Sequence, residues 1–175
     1  RARVYICGLG FYELYINGSR VGNHVLDPAT TDYDKRLLYV PYDITDLLKP
    51  GRNVVGAILG NGWFCETPEF DVVMKRRMGY KYGDSPRVII QMNLSFSDDS
   101  ASSIVTDRTW KTSSGPIVKN DLYGGETYDA RLEKPGWNRA GYEDSDWLEA
   151  LAKQDPGGTL GAQIMAANKV IQTKK

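Results

Sequence analysis

The stretch "YELYINGSRVG", residues 12–22, sets the structural class of this chain. Its apolar side chains at positions 12, 14 and 16 alternate with more polar ones, which is the pattern of a strand with one buried face. Asn17-Gly18 follows directly, and this dipeptide accepts the positive φ angles of a tight hairpin turn. The stretch therefore predicts an antiparallel hairpin rather than a helix.

The same two-residue period continues along most of the chain, and turn dipeptides recur about every ten residues. Further strands are predicted over residues 2–7, 35–45, 53–60, 85–96, 102–107, 109–117 and, weakly, within 161–173. The strand 53–60 has little polar content and is expected to be buried. One short helical turn is expected after residue 44, capped by Thr45 or Asp46 and ended by Pro50-Gly51. Short strands at this spacing predict an all-β fold, an antiparallel β-sandwich or jelly roll, as a single domain over residues 1–175.

The composition excludes several classes of partner and cofactor. Lys plus Arg and Asp plus Glu both number 22, so neither nucleic acid nor an anionic membrane is an expected partner. One His and two Cys argue against a zinc site, whereas an oxygen-ligated cation such as calcium stays open. Cys7 and Cys65 are expected to be free thiols, and the opening "RARVYICG" favours a piece of a longer protein.

Four stretches, in order along the chain, carry a family resemblance: "GLGFYELYINGSRVGNHVLDPATTDYDKRLLYVPYDITDLLKPGRNVVGAILGNGWF" (8–64), "GPIVKNDLYGGETYDAR" (115–131), "GYEDSDWLEA" (141–150) and "PGGTLGAQIM" (156–165). Together they resemble the N-terminal β-sandwich module of bacterial alpha-L-rhamnosidases. The resemblance implies a galactose-binding-like jelly roll within an enzyme that releases terminal L-rhamnose. It also implies that an (α/α)6 barrel beyond this module carries the catalytic carboxylates, so that the barrel and other domains of the same chain are its partners.

The acid-rich stretch "NDLYGGETYDARLEKPGW", residues 120–137, is the first candidate site. Glycoside hydrolysis needs two carboxyls about 5–5.5 Å or 6.5–9.5 Å apart, and Glu126 with Asp129 is the obvious pair. Residues three apart on a strand project to opposite faces, so only a bulge at 127–128 would bring them together. We therefore predict no catalytic residues in this chain.

Two interpretations of that stretch remain open. The first is a polar clasp in which a carboxylate pairs with an arginine beneath a tyrosine ring, with the members Arg36, Glu126, Tyr128, Asp129 and Arg131. The second is a carbohydrate contact in which three carboxylates accept hydrogen bonds from hydroxyls: Asp121, Glu126 and Asp129. The clasp is the interpretation we favour.

Two further loops hold candidate carbohydrate-binding residues. In "DPATTDYDKR" (27–36), Asp32 and Asp34 can converge on a cation or on vicinal hydroxyls, although a solvated loop is the favoured alternative. In "GNGWF" (60–64), Asn61 and Trp63 fall at a sandwich edge, where an indole can cover the apolar face of a sugar. Packing of Trp63 beneath the loop 60–84 is the equal alternative.

Two surface segments complete the candidates. In "YEDSDW" (142–147), Asp144 and Asp146 are possible calcium ligands, against a favoured turn that satisfies its own amides. The basic segment "MKRRMGYKYG" (74–83) can contact a catalytic domain or an acidic polysaccharide, against a solvated loop. The sequence thus predicts a non-catalytic accessory module that needs no cofactor. The alternative is a calcium-assisted module that binds rhamnose-containing glycans.

Overall fold

The computed structural model describes residues 1–65 and 82–173 and confirms an all-β fold. The strands of this described part are β1 Ala2–Leu9, β2 Phe11–Ile16, β3 Ser19–Arg20, β4 Arg36–Asp43, β5 Val55–Gly60, β6 Arg87–Ser95, β7 Ala101–Val105, β8 Lys111–Thr112, β9 Ile117–Asp121, β10 Gly125–Tyr128, β11 Leu148–Glu149 and β12 Thr159–Ala162. Two short 3-10 turns span Thr45–Leu47 and Ala130–Leu132. In the described ranges no helix is long and apolar enough to cross a membrane.

The larger sheet has the strand order β12-β4-β1-β6-β7. β1 pairs antiparallel with β4, which places Val4 opposite Tyr42, and with β6, which places Val4 opposite Met92. β12 runs parallel to β4 and forms one edge of the sheet. The sheet is therefore antiparallel except at that edge.

The smaller sheet has the order β3-β2-β5 and contains the hairpin that the sequence predicts. Asn17 and Gly18 connect β2 to β3 with φ angles of 51° and 87°. Positive φ at both central residues matches the right-handed twist of the flanking strands, and glycine adopts it without a steric penalty. The hairpin brings Tyr15 opposite Arg20.

The core lies between these two sheets. Val4, Ile6, Leu14, Ile16 and Ile90 are fully buried in one cluster with contributions from β1, β2 and β6. Burying each such side chain stabilises the fold by about 1.5–3 kcal/mol, which makes this cluster the main source of stability. The antiparallel sandwich predicted from the alternating pattern is confirmed.

A second cluster, called the outer cluster here, covers part of the opposite face of the larger sheet. Cys7 and Leu9 alternate along β1 with the core residues and therefore face away from the smaller sheet. Loop side chains cover them, and the buried members are Cys7, Leu9, Tyr33, Leu37, Phe64 and Cys65. Both cysteines are free thiols, as expected.

Three strand predictions need correction. The segment 53–60 forms β5, yet its residues are only half-buried or exposed, because β5 is an edge strand of the smaller sheet. The segment 109–117 contains the short β8 and only the first residue of β9, because the Asp107 carboxylate binds the Thr109 amide and starts a turn. The last strand, expected in 161–173, lies at Thr159–Ala162, where it pairs with β4.

The predicted cap of the first 3-10 turn is also wrong. Ile44 occupies the position before the turn, and no side chain caps it. The Thr45 hydroxyl instead donates to the Asp43 carboxylate at 2.6 Å, and it accepts a hydrogen bond from the Ala2 amide at 2.9 Å. This residue therefore ties the turn to the start of β1.

Candidate functional site

Asn61 joins the end of β5 to the hairpin formed by β9 and β10. Its backbone amide donates to Asn120 Oδ1 at 2.6 Å, and its side-chain Nδ2 donates to the Asn120 carbonyl at 2.8 Å. Two hydrogen bonds between the same pair of residues hold the loop 60–64 and the hairpin in one arrangement. Asn120 is a member of this site that the sequence did not single out.

Trp63 and Asp121 lie on the two sides of this junction. The Trp63 ring meets the Tyr123 ring edge-on, with 6.1 Å between centroids, and it also packs against the outer cluster. Asp121 Oδ1 accepts hydrogen bonds from the amides of Tyr123 at 2.7 Å and Gly124 at 2.5 Å. Asp121 therefore stabilises the hairpin turn that contains Tyr123. Trp63 lies at the edge of the sandwich, as expected for a sugar contact, and it also packs on neighbouring side chains, as the alternative interpretation expected.

Asp32 is connected to the outer cluster through Tyr82. Its carboxylate accepts a hydrogen bond from Lys35 Nζ at 2.6 Å and from the Tyr82 hydroxyl at 3.4 Å. The bond from Lys35 holds the pKa of Asp32 below its ordinary value. Asp34 is exposed two residues on. Tyr82 packs on Tyr33 with 4.9 Å between ring centroids, so Asp32 is linked through aromatic rings to the cluster that Trp63 flanks.

Five of these residues form the loop-end site, defined as Asn61, Trp63, Asn120, Asp121 and Tyr123, whereas Asp32 is linked to it only through Tyr82 and the outer cluster. The site combines aromatic edges, amides and a carboxylate beside an apolar cluster. Such a combination can bind a polar ligand that has one apolar face, because the rings cover the apolar face and the polar groups hydrogen-bond its rim. A sugar has this chemistry.

The clasp candidates lie further along the same hairpin. Asp129 is held by Arg131, which donates from Nε at 2.8 Å and from the terminal nitrogen at 2.6 Å to separate carboxylate oxygens. This pair keeps the pKa of Asp129 low and raises that of Arg131. The Tyr128 hydroxyl donates to Glu133 at 2.7 Å instead of covering the pair. The Arg131 side chain is 88% exposed, so the pair is a surface contact.

The remaining clasp candidates, Arg36 and Glu126, do not take part in this pair. Arg36 lies in β4 opposite Thr159 of β12, so it does not share the contact of Asp129 and Arg131. Glu126 is exposed and stands opposite Asn120 in the hairpin. The hairpin register does shift between Thr127 and Tyr128. Even so, both oxygens of Asp129 accept hydrogen bonds from Arg131.

The proposed calcium ligands contact lysines. Lys111 Nζ donates to Asp144 Oδ1 at 2.7 Å and to the Asp144 carbonyl at 3.0 Å. Lys134 Nζ lies 3.8 Å from Asp146 and also above the Trp147 ring. Among residues 1–65 and 82–173, no group of three or more His, Cys, Asp or Glu side chains is placed to hold a metal ion. The basic side chains of the segment 74–83 lie outside the described residues.

The sequence did not reveal a buried network around Asp27. This carboxylate is only 2% exposed, and it contacts His24 Nδ1 at 2.7 Å. It accepts further hydrogen bonds from the Tyr42 hydroxyl and from Gln163 Nε2, both at 3.2 Å. Its place before Pro28 predicts only an extended or turn conformation, and its partners at 42 and 163 are distant in sequence. The one local signal was the only histidine, three residues earlier.

Fold and site together define a galactose-binding-like jelly-roll domain with a polar and aromatic loop end. The family model of the alpha-L-rhamnosidase N-terminal domain matches residues 1–172, and the chain therefore belongs to this family.

Similar proteins agree with this assignment. An alpha-L-rhamnosidase of Formosa agariphila is 44% identical over 171 residues, covering 98% of this chain and 18% of the relative. The solved structure of alpha-L-rhamnosidase from Dictyoglumus thermophilum is 48% identical with a TM-score of 0.83, covering 94% of this chain and 17% of that one. The Streptomyces avermitilis alpha-L-rhamnosidase complexed with L-rhamnose is 35% identical with a TM-score of 0.88, covering 98% and 16%. The chain thus spans less than a fifth of the proteins it matches.

Proposed function

We propose that residues 1–175 form a single non-catalytic accessory domain of a multidomain alpha-L-rhamnosidase, where the domain supports the catalytic (α/α)6 barrel. The observation that carries this proposal is the engagement of the candidate carboxylates. Asp32, Asp129 and Asp144 each bind a Lys or Arg side chain, and Asp121 binds amides of its own turn. These side chains stabilise local structure.

The electrostatics of these acids favour the same conclusion. A glycosidase needs one carboxylic acid with a raised pKa, because that group must be protonated to donate to the leaving oxygen. Here Lys35 lowers the pKa of Asp32, and Arg131 lowers that of Asp129. Acids with lowered pKa values are ionised at neutral pH and suit hydrogen-bond acceptance, not proton donation.

The first experiment measures hydrolysis of a nitrophenyl α-L-rhamnoside by this chain and by the full-length enzyme. We expect no turnover by the 175-residue chain. Turnover that disappears in Glu126→Gln would contradict the proposal. Deletion of the domain from the full-length enzyme is expected to lower the midpoint of thermal unfolding of the remainder.

Carbohydrate binding at the loop-end site is the second candidate function. The contact of Trp63 with Tyr123 and the amides of Asn61 and Asn120 favour it, because together they supply an apolar wall and polar contacts. A structure of the Streptomyces avermitilis relative is complexed with L-rhamnose. In the calcium-assisted form of this candidate, Asp32 and Asp34 supply oxygen ligands, and Asp32 exchanges its bond to Lys35 for the cation.

Isothermal titration with L-rhamnose, with and without calcium, tests this second candidate. Binding that is lost in Trp63→Ala and kept in Trp110→Phe supports the loop-end site, because Trp110 packs against the core between the sheets. An absence of heat in both conditions rejects it. Calcium-dependent binding that is lost in Asp32→Asn supports the assisted form.

A further inference from the structure

We propose that the outer face of the larger sheet, along its β12 edge, is the surface on which a following domain of the same chain docks. This inference rests on the accessory function proposed above and adds its interface. Two features define the surface. One is a C-terminal apolar patch consisting of Leu160, Ile164, Met165, Val170 and Ile171. The other is the groove beside it on the sheet.

The patch is a concentration of exposed apolar side chains. Ile164 is 84% exposed and Ile171 is 97% exposed, and the other three members expose about half of their surface or more. Single exposed apolar residues are common on protein surfaces, whereas a cluster marks an interaction site. Five such residues within twelve positions form a cluster in the sequence, which begins in the edge strand β12 and continues in the segment after it.

Backbone and side-chain contacts hold this segment against the domain. Gln163 Oε1 accepts from the Ala29 amide at 2.8 Å, and its Nε2 donates to Asp27 at 3.2 Å. Farther on, the Val25 amide donates to the Asn168 carbonyl at 2.9 Å. The segment is therefore positioned by the fold, and its apolar side chains are presented outward from a fixed backbone.

The groove continues the patch across the sheet. It has a volume of about 230 Å³, and Leu160 lines it together with Tyr5, Tyr39 and Ile89. Its other lining residues are Cys7, Gln91 and Asn93, so no charged side chain faces it. Small-molecule pockets usually measure about 300–1,000 Å³. A shallow, uncharged groove of this size fits one or two apolar side chains from a protein surface.

The relatives indicate the occupant. Each matched rhamnosidase is more than five times longer than the region matched, and the matching family is an N-terminal domain. The family model of an N-terminal domain matches as far as residue 172, so a domain that follows it connects through the segment 159–171. β12 is the edge of the larger sheet, and the described strands leave its outer side unpaired. An adjoining domain that follows can therefore bury the open sheet edge together with the exposed apolar patch.

Hydrogen exchange of the full-length rhamnosidase and of the 175-residue chain tests the surface without any substitution. Amides of residues 159–171 are expected to exchange several-fold more slowly in the full-length enzyme. Amides of the β6–β7 turn at the opposite edge serve as the internal control and are expected to exchange equally in both. Equal rates at 159–171 would overturn the inference.

Calorimetry of variants provides the second test. In the full-length enzyme, Ile164→Ser combined with Ile171→Ser is expected to separate this domain's unfolding from that of the remainder. Phe96→Ser, an exposed apolar residue at the opposite edge, is the matched control and leaves the transition unchanged. The isolated chain is expected to melt alike with and without the double substitution, since these side chains contact solvent there.

The outcomes separate the interface from the accessory function. If deletion of the domain destabilises the enzyme but the double variant does not, the surface is wrong and the accessory function stands. If the deletion has no effect on stability or activity, the accessory function itself fails. Both proposals are supported if the domain unfolds separately in the double variant but not in Phe96→Ser, and if amides of residues 159–171 exchange more slowly in the full-length enzyme.

Discussion

Two carboxylates of this domain, Asp27 and Asp129, are both held by hydrogen bonds, yet their surroundings are opposite. Asp27 is buried, and its partners are His24, Tyr42 and Gln163. Asp129 is paired with an arginine whose side chain is almost fully in water. The sequence predicts a candidate site in the acid-rich stretch around Asp129, whereas it gives no indication of a site at Asp27.

The difference shows that the energetic weight of a charge depends on its solvent exposure more than on the density of charges around it. Water screens an exposed ion pair and replaces its bonds when it breaks. A buried carboxylate has no such substitute, so each lost partner leaves an unsatisfied group. Asp27 also joins distant parts of the chain, because Gln163 reaches it from beyond β12.

The largest expected effect tests the buried side of this comparison. Asp27→Ala removes the acceptor shared by three side chains and is expected to lower the free energy of unfolding by about 3 kcal/mol. Urea unfolding followed by tryptophan fluorescence measures the change. Asp27→Asn, which keeps one carbonyl acceptor, is the control and is expected to cost about half as much. If Asp27→Ala lowers the free energy of unfolding by less than about 0.5 kcal/mol, the network around Asp27 does not contribute substantially to stability.

The next effect concerns the link between Asp27 and the C-terminal segment. Gln163→Ala removes one bond to Asp27 and one to the Ala29 amide, and is expected to cost about 1–2 kcal/mol. Hydrogen exchange at Ala29 and Val25 should accelerate, because these amides bind the segment 163–168. Gln91→Ala on the exposed sheet face is the matched control. Unchanged exchange at Ala29 would show that Gln163 does not hold the segment.

A smaller effect comes from the buried thiols of the outer cluster. Burial raises the pKa of Cys7 to about 11 and that of Cys65 to about 12, from an ordinary value of 9.0. Because the folded-state values are raised, their contribution to stability is complete below about pH 8.5 and is lost as pH rises toward 11–12. The urea midpoint of the wild type should therefore fall above pH 9 more steeply than that of a Cys7→Ala, Cys65→Ala variant. Parallel pH profiles would contradict this.

The smallest effect is expected at the exposed pair. Arg131→Ala should leave the urea midpoint at pH 7 within experimental error, because the contact is screened by water. Its signature is a rise in the pKa of Asp129, measured by NMR titration, since Arg131 keeps that pKa low. Because the pKa of Asp129 is lower in the folded state than in the unfolded state, the pair stabilises the fold above about pH 4. This stabilisation is lost as pH falls through the folded-state pKa of Asp129. A large stability loss at pH 7 would make the clasp structurally important after all.

Site features could be predicted from the sequence when the residues that form them are close together in the chain, and not when those residues are far apart. Asn61 and Trp63 could be singled out because they follow a strand end, and their loop does contact the hairpin. The partners Asn120 and Tyr123 could not be matched to them, since the junction joins residues about sixty positions apart. Asp144 and Asp146 suggested a cation site from local spacing alone, but Lys111 approaches from another strand.

The sequence by itself determined the sandwich, most of its longer strands and the Asn17-Gly18 hairpin, because alternating burial and turn conformation are encoded within a few consecutive residues. It also carried the family resemblance. The tertiary structure alone decided which carboxylate is buried, which lysine or arginine meets each acid, and that an outer cluster covers part of the outer face of the larger sheet. Those properties depend on contacts between distant segments, where burial and dielectric surroundings are set by the packed fold and not by neighbours in the chain.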